Sequence, residues 1–201
     1  MSVLVGREAP DFTAPSILGS GEVKADFNLH EAKAGKYAVV FFYPLDFTFV
    51  CPSELLAFDH RLAEFAKRNV EVIGVSIDSH WTHNAWRNTP VNDGGIGAVG
   101  YTMVGDMKQD ITKAYGVQVP GGAPALRASF LIDKENVVQH QVVNNLSLGR
   151  NIDEMLRMVD ALQFTEEHGE VCPAGWQDGE EGMKPTPDGV ASYLAAHEGD
   201  L

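Results

Sequence analysis

Cys51 lies at a point where the sequence predicts the end of a strand and the start of a helix. The apolar run of residues 37–42 is typical of a buried strand, and the apolar side chains within residues 55–65 recur at helical spacing. Pro52 suits the first turn of such a helix, because the N–H that proline lacks would have no partner there. A thiol at this position faces the positive end of the helix dipole, which favours the nucleophilic thiolate. We therefore expect Cys51 to be a reactive cysteine.

Three further residues could shape the chemistry of this thiolate. The hydroxyl of Thr48, three residues earlier, can reach the sulfur across the turn, and Pro44 stiffens the same loop without offering a donor. Arg127 starts a later predicted strand and could place a guanidinium beside the sulfur, although its spacing fits an ordinary surface ion pair equally well. Peroxides suit this arrangement, because attack on one oxygen builds negative charge on the other, which preorganised donors stabilise. The product would be a cysteine sulfenic acid.

Cys172 is the second of only two cysteines in the chain. Neither cysteine belongs to a CxxC motif or to a cluster of metal ligands, so neither a dithiol redox motif nor a zinc site is predicted. Two cysteines also do not suggest a structural disulfide framework. Cys172 could condense with a sulfenic acid at Cys51, or it could be an inert thiol, and the sequence leaves both alternatives open.

The net charge of −13 and the length of 201 residues restrict the class of protein. An acidic chain has few clustered cations for nucleic acid or anionic membrane surfaces, so we expect neither partner. The length suits one domain, expected over residues 1–165, followed by a C-terminal tail over residues 166–201. No apolar run approaches the roughly 20 residues of a membrane span, and residues 1–10 lack a secretory pattern, so a cytoplasmic location is expected.

Strand and helix patterns alternate along most of the chain and are followed by a hairpin and a helix. This order predicts an α/β protein of thioredoxin-like fold, with a central mixed sheet flanked by helices, an N-terminal hairpin and an extended C-terminal tail. Within this fold, Asp106 is expected to cap a helix over residues 107–115, and residues 133–136 to form the turn of the last hairpin.

His80 and His83 are spaced for one face of a predicted helix. No carboxylate or thiol completes a convincing ligand set with them, so we interpret both as surface or capping residues and predict no metal site. Trp81 and Trp86 lie on the same segment, and we interpret them as core or interface residues rather than as stacking platforms for nucleic acid bases.

The pattern Pro44-x-x-x-Thr48-x-x-Cys51 resembles the active-site signature of the typical two-cysteine peroxiredoxins of the alkyl hydroperoxide reductase C type. The similarity extends over about residues 3–194. Further segments similar to the family are residues 41–54, Trp86 in its WxNTP context, residues 94–97, Arg127, residues 148–150 and residues 169–176. The positions that depart from common members of the family are Ser53, Ile96 and Leu194.

The resemblance implies a thiol peroxidase in which Cys51 attacks the peroxide and Cys172 of the partner subunit resolves the sulfenic acid as a disulfide. It also implies that Thr48 and Arg127 position and polarise the peroxide, and that Pro44 shields the sulfenic acid. Supporting roles are implied for Glu54, Arg150 and Trp86.

The partners that the resemblance implies are a peroxide, a protein disulfide reductant and further copies of the chain. The reductant would be thioredoxin or a dedicated flavoprotein reductase, and the copies would form homodimers that assemble into a ring, often a decamer. No metal and no organic cofactor is implied. An alternative function is a redox-switched, chaperone-like holdase or scaffold ring. The change Cys51→Ser would distinguish the two, because it should abolish peroxide consumption and leave any suppression of client aggregation intact.

Overall fold

The apolar run at residues 37–42 forms an inner strand of a seven-stranded sheet in the computed structural model, which describes residues 3–200. The chain divides into two compact units, residues 1–152, which contain the sheet, and residues 153–201. The strands are β1 (Thr13–Ile17), β2 (Val23–Asn28), β3 (Tyr37–Phe42), β4 (Val70–Ser76), β5 (Thr102–Gly105), β6 (Arg127–Ile132) and β7 (Val138–Asn144). The α-helices are α1 (Leu29–Lys33), α2 (Cys51–Asp59), α3 (Leu62–Lys67), α4 (His80–Arg87), α5 (Asp110–Ala114), α6 (Ile152–His168) and α7 (Pro187–His197).

The sheet is mixed, with the strand order β2-β1-β5-β4-β3-β6-β7. β3 runs parallel to β4, and β4 runs parallel to β5, whereas the other neighbouring pairs are antiparallel. All six residues of β3 are buried, as its unbroken apolar sequence predicts for a strand covered on both faces. The predicted mixed sheet and the N-terminal hairpin of β1 and β2 are confirmed.

The strand register brings three chain segments to one end of the sheet. Phe42, the last residue of β3, pairs with Ala128, so the antiparallel strand β6 begins beside the point where β3 ends. Arg127 in turn pairs with Asn144, the last residue of β7. Side chains that follow β3, begin β6 or follow β7 are therefore placed close together.

The helical pattern that was predicted from residue 55 to residue 65 forms two helices rather than one. α2 ends at Asp59, and α3 begins at Leu62. Arg61 between them departs from helical geometry, with φ −109° and ψ 4°, so the helix is interrupted although the apolar spacing continues.

The prediction of a helix over residues 107–115 is wrong at its start. Gln109 has a left-handed backbone conformation, with φ 61°, which excludes the preceding residues from the helix, and α5 begins at Asp110. The carboxylate of Asp106 still satisfies free N–H groups of this helix. It accepts hydrogen bonds from the backbone of Ile111 at 3.2 Å and of Thr112 at 2.7 Å.

The turn between β6 and β7 has the residues that were expected. Asn136 adopts a left-handed conformation, with φ 68°, which asparagine tolerates better than most residues. Asp133 accepts a hydrogen bond from the N–H of Val137 at 2.8 Å. The buried ammonium of Lys33 in α1 donates to the side-chain oxygen of Asn136 at 2.7 Å, so it fixes this turn.

The unit of residues 153–201 has its own packing around Trp176, which is buried. The Trp176 ring lies beside Phe164 of α6, with ring centroids 4.8 Å apart. The backbone carbonyl oxygen of Trp176 accepts a hydrogen bond from Arg157 at 2.9 Å. The predicted domain boundary after residue 165 stays a prediction. None of the helices within residues 3–200 has the length and apolar character that crossing a membrane requires.

Arg87, at the end of α4, connects three segments of the first unit. Its guanidinium is buried and donates hydrogen bonds to the carbonyl oxygens of Leu18 at 2.8 Å, Gly19 at 2.9 Å and Val99 at 2.8 Å. These carbonyls belong to the turn between β1 and β2 and to the loop before β5. One side chain therefore donates hydrogen bonds to carbonyl oxygens of two different loops.

We predict that Arg87→Met lowers the free energy of unfolding by about 3 kcal/mol, because hydrogen bonds from a charged donor are lost and buried carbonyl oxygens are left without it. Urea unfolding followed by circular dichroism would measure the change. Lys67→Met is the matched control, since Lys67 is largely exposed and only pairs with Glu64, and it should leave the unfolding midpoint nearly unchanged. An equal effect of both substitutions would contradict the role given to Arg87.

Candidate active site

Cys51 is the first residue of α2, and its side chain is fully buried. The carbonyl oxygen of Val50 accepts hydrogen bonds from the N–H groups of Ser53 at 3.1 Å and Glu54 at 3.4 Å, which closes the first turn of the helix. Pro52 lies in that turn, as predicted. The sulfur is therefore held at the positive end of a nine-residue helix and out of solvent.

Thr48 faces the sulfur across the loop between β3 and α2. Its Oγ1 atom lies 3.0 Å from Sγ of Cys51 and 2.8 Å from the carbonyl oxygen of Leu45. A hydroxyl group has one proton, so it can donate to only one of these two acceptors at a time. When it donates to Leu45, the lone pairs of Thr48 Oγ1 remain available to a molecule bound near the sulfur.

Pro44 is a buried residue of this loop, and Trp86 is a buried residue of α4 that packs against the loop. The indole N–H of Trp86 donates to the carbonyl oxygen of Gly94 at 3.0 Å. Its ring centroid lies 6.3 Å from that of Tyr43 and 5.6 Å from that of Phe47. Trp86 therefore packs against both ends of residues 43–47, and its interpretation as a core residue is confirmed.

Arg127, the first residue of β6, reaches the sulfur from the neighbouring strand. Its Nη1 atom lies 3.4 Å from Sγ of Cys51 and 2.8 Å from Oε2 of Glu54, and its Nε–H donates to the carbonyl oxygen of Leu146 at 2.6 Å. Burial by itself would lower the pKa of Arg127, but the hydrogen bond and charge of Cys51, with those of Glu54, raise this pKa above its ordinary value. The guanidinium is thus a fixed cation beside the sulfur.

Glu54 is a buried carboxylate on the first turn of α2 that binds two arginines. It accepts one hydrogen bond from Arg127, and from Arg150 it accepts the backbone N–H at 2.8 Å, Nε–H at 2.8 Å and Nη2–H at 2.9 Å. Burial would raise the pKa of Glu54, but the hydrogen bonds and charges of Arg150 and Arg127 outweigh it and hold the pKa below its ordinary value.

Arg150, which follows β7, makes more contacts than its sequence context suggests. In addition to the bonds of Nε and Nη2 with Glu54, Nη1 of Arg150 donates to the carbonyl oxygen of Phe42, the last residue of β3, and to that of Ala128 in β6. Its guanidinium carbon lies 5.5 Å from the centroid of the Phe41 ring. Arg150 therefore joins the ends of the strands that surround Cys51.

The interpretation of His83 as a surface or capping residue is wrong. His83 is fully buried, with Nδ1 2.7 Å from Oδ2 of Asp46 and Nε2 3.1 Å from the carbonyl oxygen of Val104. The other oxygen of Asp46 accepts a hydrogen bond from the hydroxyl of Tyr43 at 2.8 Å. The available signal was Asp46 itself, an acidic residue within the apolar stretch next to Cys51, which requires a buried partner.

Cys172 belongs to the other compact unit and is half-buried there. Its sulfur lies 3.5 Å from the carbonyl oxygen of Ala161 and 3.8 Å from the hydroxyl of Thr165, both in α6. Cys51 and Cys172 are both free thiols. Among residues 3–200, no group of three or more His, Cys, Asp or Glu side chains is arranged to hold a metal ion.

Two family models match the chain. The model of the AhpC/TSA family matches residues 5–141, and the model of the C-terminal domain of 1-Cys peroxiredoxin matches residues 161–196. Together these matches cover both the segment with Cys51 and the segment with Cys172.

Individual relatives are similar over nearly the full length. Alkyl hydroperoxide reductase C of Buchnera aphidicola subsp. Acyrthosiphon pisum is 52% identical, over 97% of this chain and 99% of that protein. Alkyl hydroperoxide reductase C of Helicobacter pylori is 55% identical, over 96% of each chain. The crystal structure of reduced 2-Cys peroxiredoxin from Plasmodium vivax matches with a TM-score of 0.92 and 48% identity, over 96% of this chain and 100% of that chain. The predicted thioredoxin-like fold is therefore confirmed.

We predict that Glu54→Gln lowers the free energy of unfolding by about 3 kcal/mol at pH 7, because two buried guanidinium groups lose their carboxylate. The lowered pKa of Glu54 means that the ionised carboxylate stabilises the fold above its unfolded pKa of about 4.3, and that this stabilisation is lost as the pH falls through the folded pKa. The difference between the native protein and the variant should therefore shrink below about pH 4. Urea unfolding at several pH values would measure it.

Glu64→Gln is the control for this prediction. Hydrogen bonds from Lys67 and Arg68 also lower the pKa of Glu64, but this carboxylate is exposed and its interactions are screened by water. The control should change stability little at any pH. Destabilisation by Glu54→Gln that is independent of pH would show that packing, not charge, accounts for the role of Glu54.

Proposed function

Because the chain belongs to the AhpC/TSA family and is a peroxiredoxin, we propose that Cys51 is the cysteine whose thiolate attacks the peroxide. The enzyme is a thiol peroxidase, an oxidoreductase. The observation that carries the assignment of Cys51 is its position between two polar side chains: its buried sulfur lies within reach of both the Thr48 hydroxyl and the Arg127 guanidinium at the start of a helix.

In the proposed first step, the thiolate of Cys51 attacks one oxygen of the peroxide. The O–O bond breaks, the sulfur gains that oxygen as a sulfenic acid, and the other oxygen leaves with the electron pair as an alkoxide or hydroxide. The leaving oxygen takes a proton to give an alcohol or water. Arg127 stabilises the charge that develops on it, because its guanidinium is already held in place by Glu54 and by the carbonyl of Leu146.

In the proposed second step, Cys172 of the partner subunit attacks the sulfur of the sulfenic acid. A disulfide forms between the two cysteines and water is released. A dithiol reductant, either thioredoxin or a dedicated flavoprotein, then returns both thiols by exchange. Support for this pairing comes from the free state of both cysteines and from relatives that are named 2-Cys peroxiredoxins.

Pro44 is proposed to shield the sulfenic acid, since it is buried and contributes no donor to the loop. The proposed assembly is a homodimer that associates into a ring, with a decamer as the expected size. Metal ions and organic cofactors have no part in the proposed cycle. The net charge of −13 continues to argue against nucleic acid as a partner, and the cytoplasmic location stays a prediction.

The two cysteine roles can be tested by non-reducing electrophoresis after one equivalent of hydrogen peroxide. We predict a disulfide-linked dimer for the native chain. Cys172→Ser should remain monomeric on the gel and accumulate a sulfenic acid at Cys51, detectable by mass spectrometry. Cys51→Ser should neither consume peroxide nor form the dimer. Peroxide turnover by Cys51→Ser would exclude the proposed cycle.

The role of Arg127 can be tested by steady-state kinetics. Arg127→Met should lower kcat/KM for hydrogen peroxide by about 100-fold, because a preorganised donor to the developing charge is removed. Arg68→Met is the control, since Arg68 pairs with exposed Glu64 on α3, and its kcat/KM should equal that of the native enzyme. The raised pKa of Arg127 means that its charge persists through the working pH range, so a loss should be present at both pH 6 and pH 9.

A further inference from the structure

A group of polar side chains, all buried except the half-buried Asp78, lies beside the loop that carries Thr48 and takes no part in the proposed chemical steps. Its members are Tyr43, Asp46, Ser76, Asp78 and His83. They come from the end of β3, the loop after it, the end of β4 and the middle of α4. Buried polar groups with this many mutual hydrogen bonds fix one local geometry, because each alternative would leave a group without a partner.

The contacts of this group converge on the peptide between Leu45 and Asp46. The N–H of Asp46 donates to Oδ2 of Asp78 at 2.9 Å, and the same oxygen accepts the hydroxyl of Ser76 at 2.7 Å. The carbonyl oxygen of that peptide, which belongs to Leu45, accepts the hydroxyl of Thr48 at 2.8 Å. The N–H of this peptide thus donates to Asp78, and its carbonyl oxygen accepts the hydrogen bond from Thr48.

The side chain of Asp46 is held equally firmly. Its two oxygens bind Nδ1 of His83 at 2.7 Å and the hydroxyl of Tyr43 at 2.8 Å. Burial and the nearby carboxylate of Asp46 raise the pKa of Tyr43 well above its ordinary value, so the phenol keeps its proton and donates it. The Nε2–H of His83 donates to the carbonyl of Val104 in β5 at 3.1 Å, which anchors the imidazole to the sheet.

We propose that Asp46 and His83 are positioning residues for peroxide reduction. They hold the Leu45–Asp46 peptide so that the carbonyl of Leu45 accepts the hydrogen bond of Thr48, which leaves the lone pairs of Thr48 to accept the O–H of the peroxide. This inference rests on the proposed function of Cys51 and Thr48. It assigns control of the orientation of the Thr48 hydroxyl to Asp46 and His83, which take no part in the proposed chemical steps.

The proton of Thr48 explains why this orientation affects the rate. With the Leu45 carbonyl displaced, the hydroxyl turns to its other acceptor, the sulfur of Cys51 at 3.0 Å. A hydrogen bond to the thiolate lowers its nucleophilicity, and the hydroxyl then presents its proton, not its lone pairs, to the sulfur. Loss of the His83 contact should therefore slow the reaction of Cys51 with peroxide by about 10- to 100-fold, as small displacements of positioning groups do.

A pair of substitutions separates the two contacts of His83. His83→Asn keeps an N–H near the position of Nδ1, which faces Asp46, whereas His83→Gln keeps one near the position of Nε2, which faces Val104. Both are made with Cys172→Ser, so that Cys51 is the one thiol that reacts. We expect His83→Gln, which loses the contact with Asp46, to slow the single-turnover reaction with hydrogen peroxide. We expect His83→Asn, which keeps that contact, to retain much of the native rate.

Two further measurements distinguish positioning from a general structural effect. Alkylation of Cys51 by iodoacetamide, whose reacting CH₂ group offers no O–H to Thr48, should slow much less than the peroxide reaction in His83→Gln, because alkylation is affected only by the hydrogen bond to the thiolate. In a Thr48→Val background, adding His83→Gln should change the peroxide rate less than about twofold, because the group through which it acts is gone. His80→Gln is the control on the same helix, since the His80 ring rests beside Trp81.

Tyr43→Phe provides a second test with little change in packing, because it deletes only the hydroxyl bound to Asp46. It should also slow the peroxide reaction, and it should slow alkylation much less. The inference is overturned if His83→Gln and Tyr43→Phe react with peroxide at the native rate, if alkylation slows equally, or if the loss persists in the Thr48→Val background. A parent chain that does not react with peroxide at all would instead overturn the proposed function.

Discussion

The interaction on which this site depends is the buried contact of one carboxylate, Glu54, with two guanidinium groups. Two cations and one anion leave one positive charge uncompensated in a region that excludes water. The thiolate that is proposed for Cys51, with its sulfur 3.4 Å from Arg127, supplies the missing negative charge. The arrangement is costly to build, since three charged groups are desolvated, and it is stabilised because both guanidinium groups donate hydrogen bonds to Glu54 and to backbone carbonyl oxygens.

The sheet topology explains how these groups meet although they are far apart in the sequence. Because β6 is antiparallel to β3, its first residue lies beside the last residue of β3 and so beside the helix that carries Cys51. Because β7 is antiparallel to β6, the chain returns to the same end and delivers Arg150 there. A sheet with a parallel β3–β6 pair would place Arg127 at the opposite end.

The parts of the site that could be predicted from the sequence are those set by local geometry. Thr48 and Cys51 are three residues apart around one turn, and Pro52 marks the helix start, so short-range rules suffice for them. Arg127 could be named only as a candidate, because its distance from the sulfur depends on strand register. Arg150 was harder still, since its Nη1 binds the backbone carbonyls of Phe42 and Ala128, and residue types do not reveal such contacts.

His83 shows where reading one element at a time fails. Helical spacing places His80 and His83 on one face, and without a ligand on that helix the ordinary interpretation is solvent exposure. The partner of His83 is Asp46, which lies in a loop on another element, and the pair becomes visible only when α4 is packed on the sheet. The same packing explains why Asp46 is tolerated in an apolar stretch: burial raises the pKa of Asp46, whereas hydrogen bonds from His83 and Tyr43 oppose that shift.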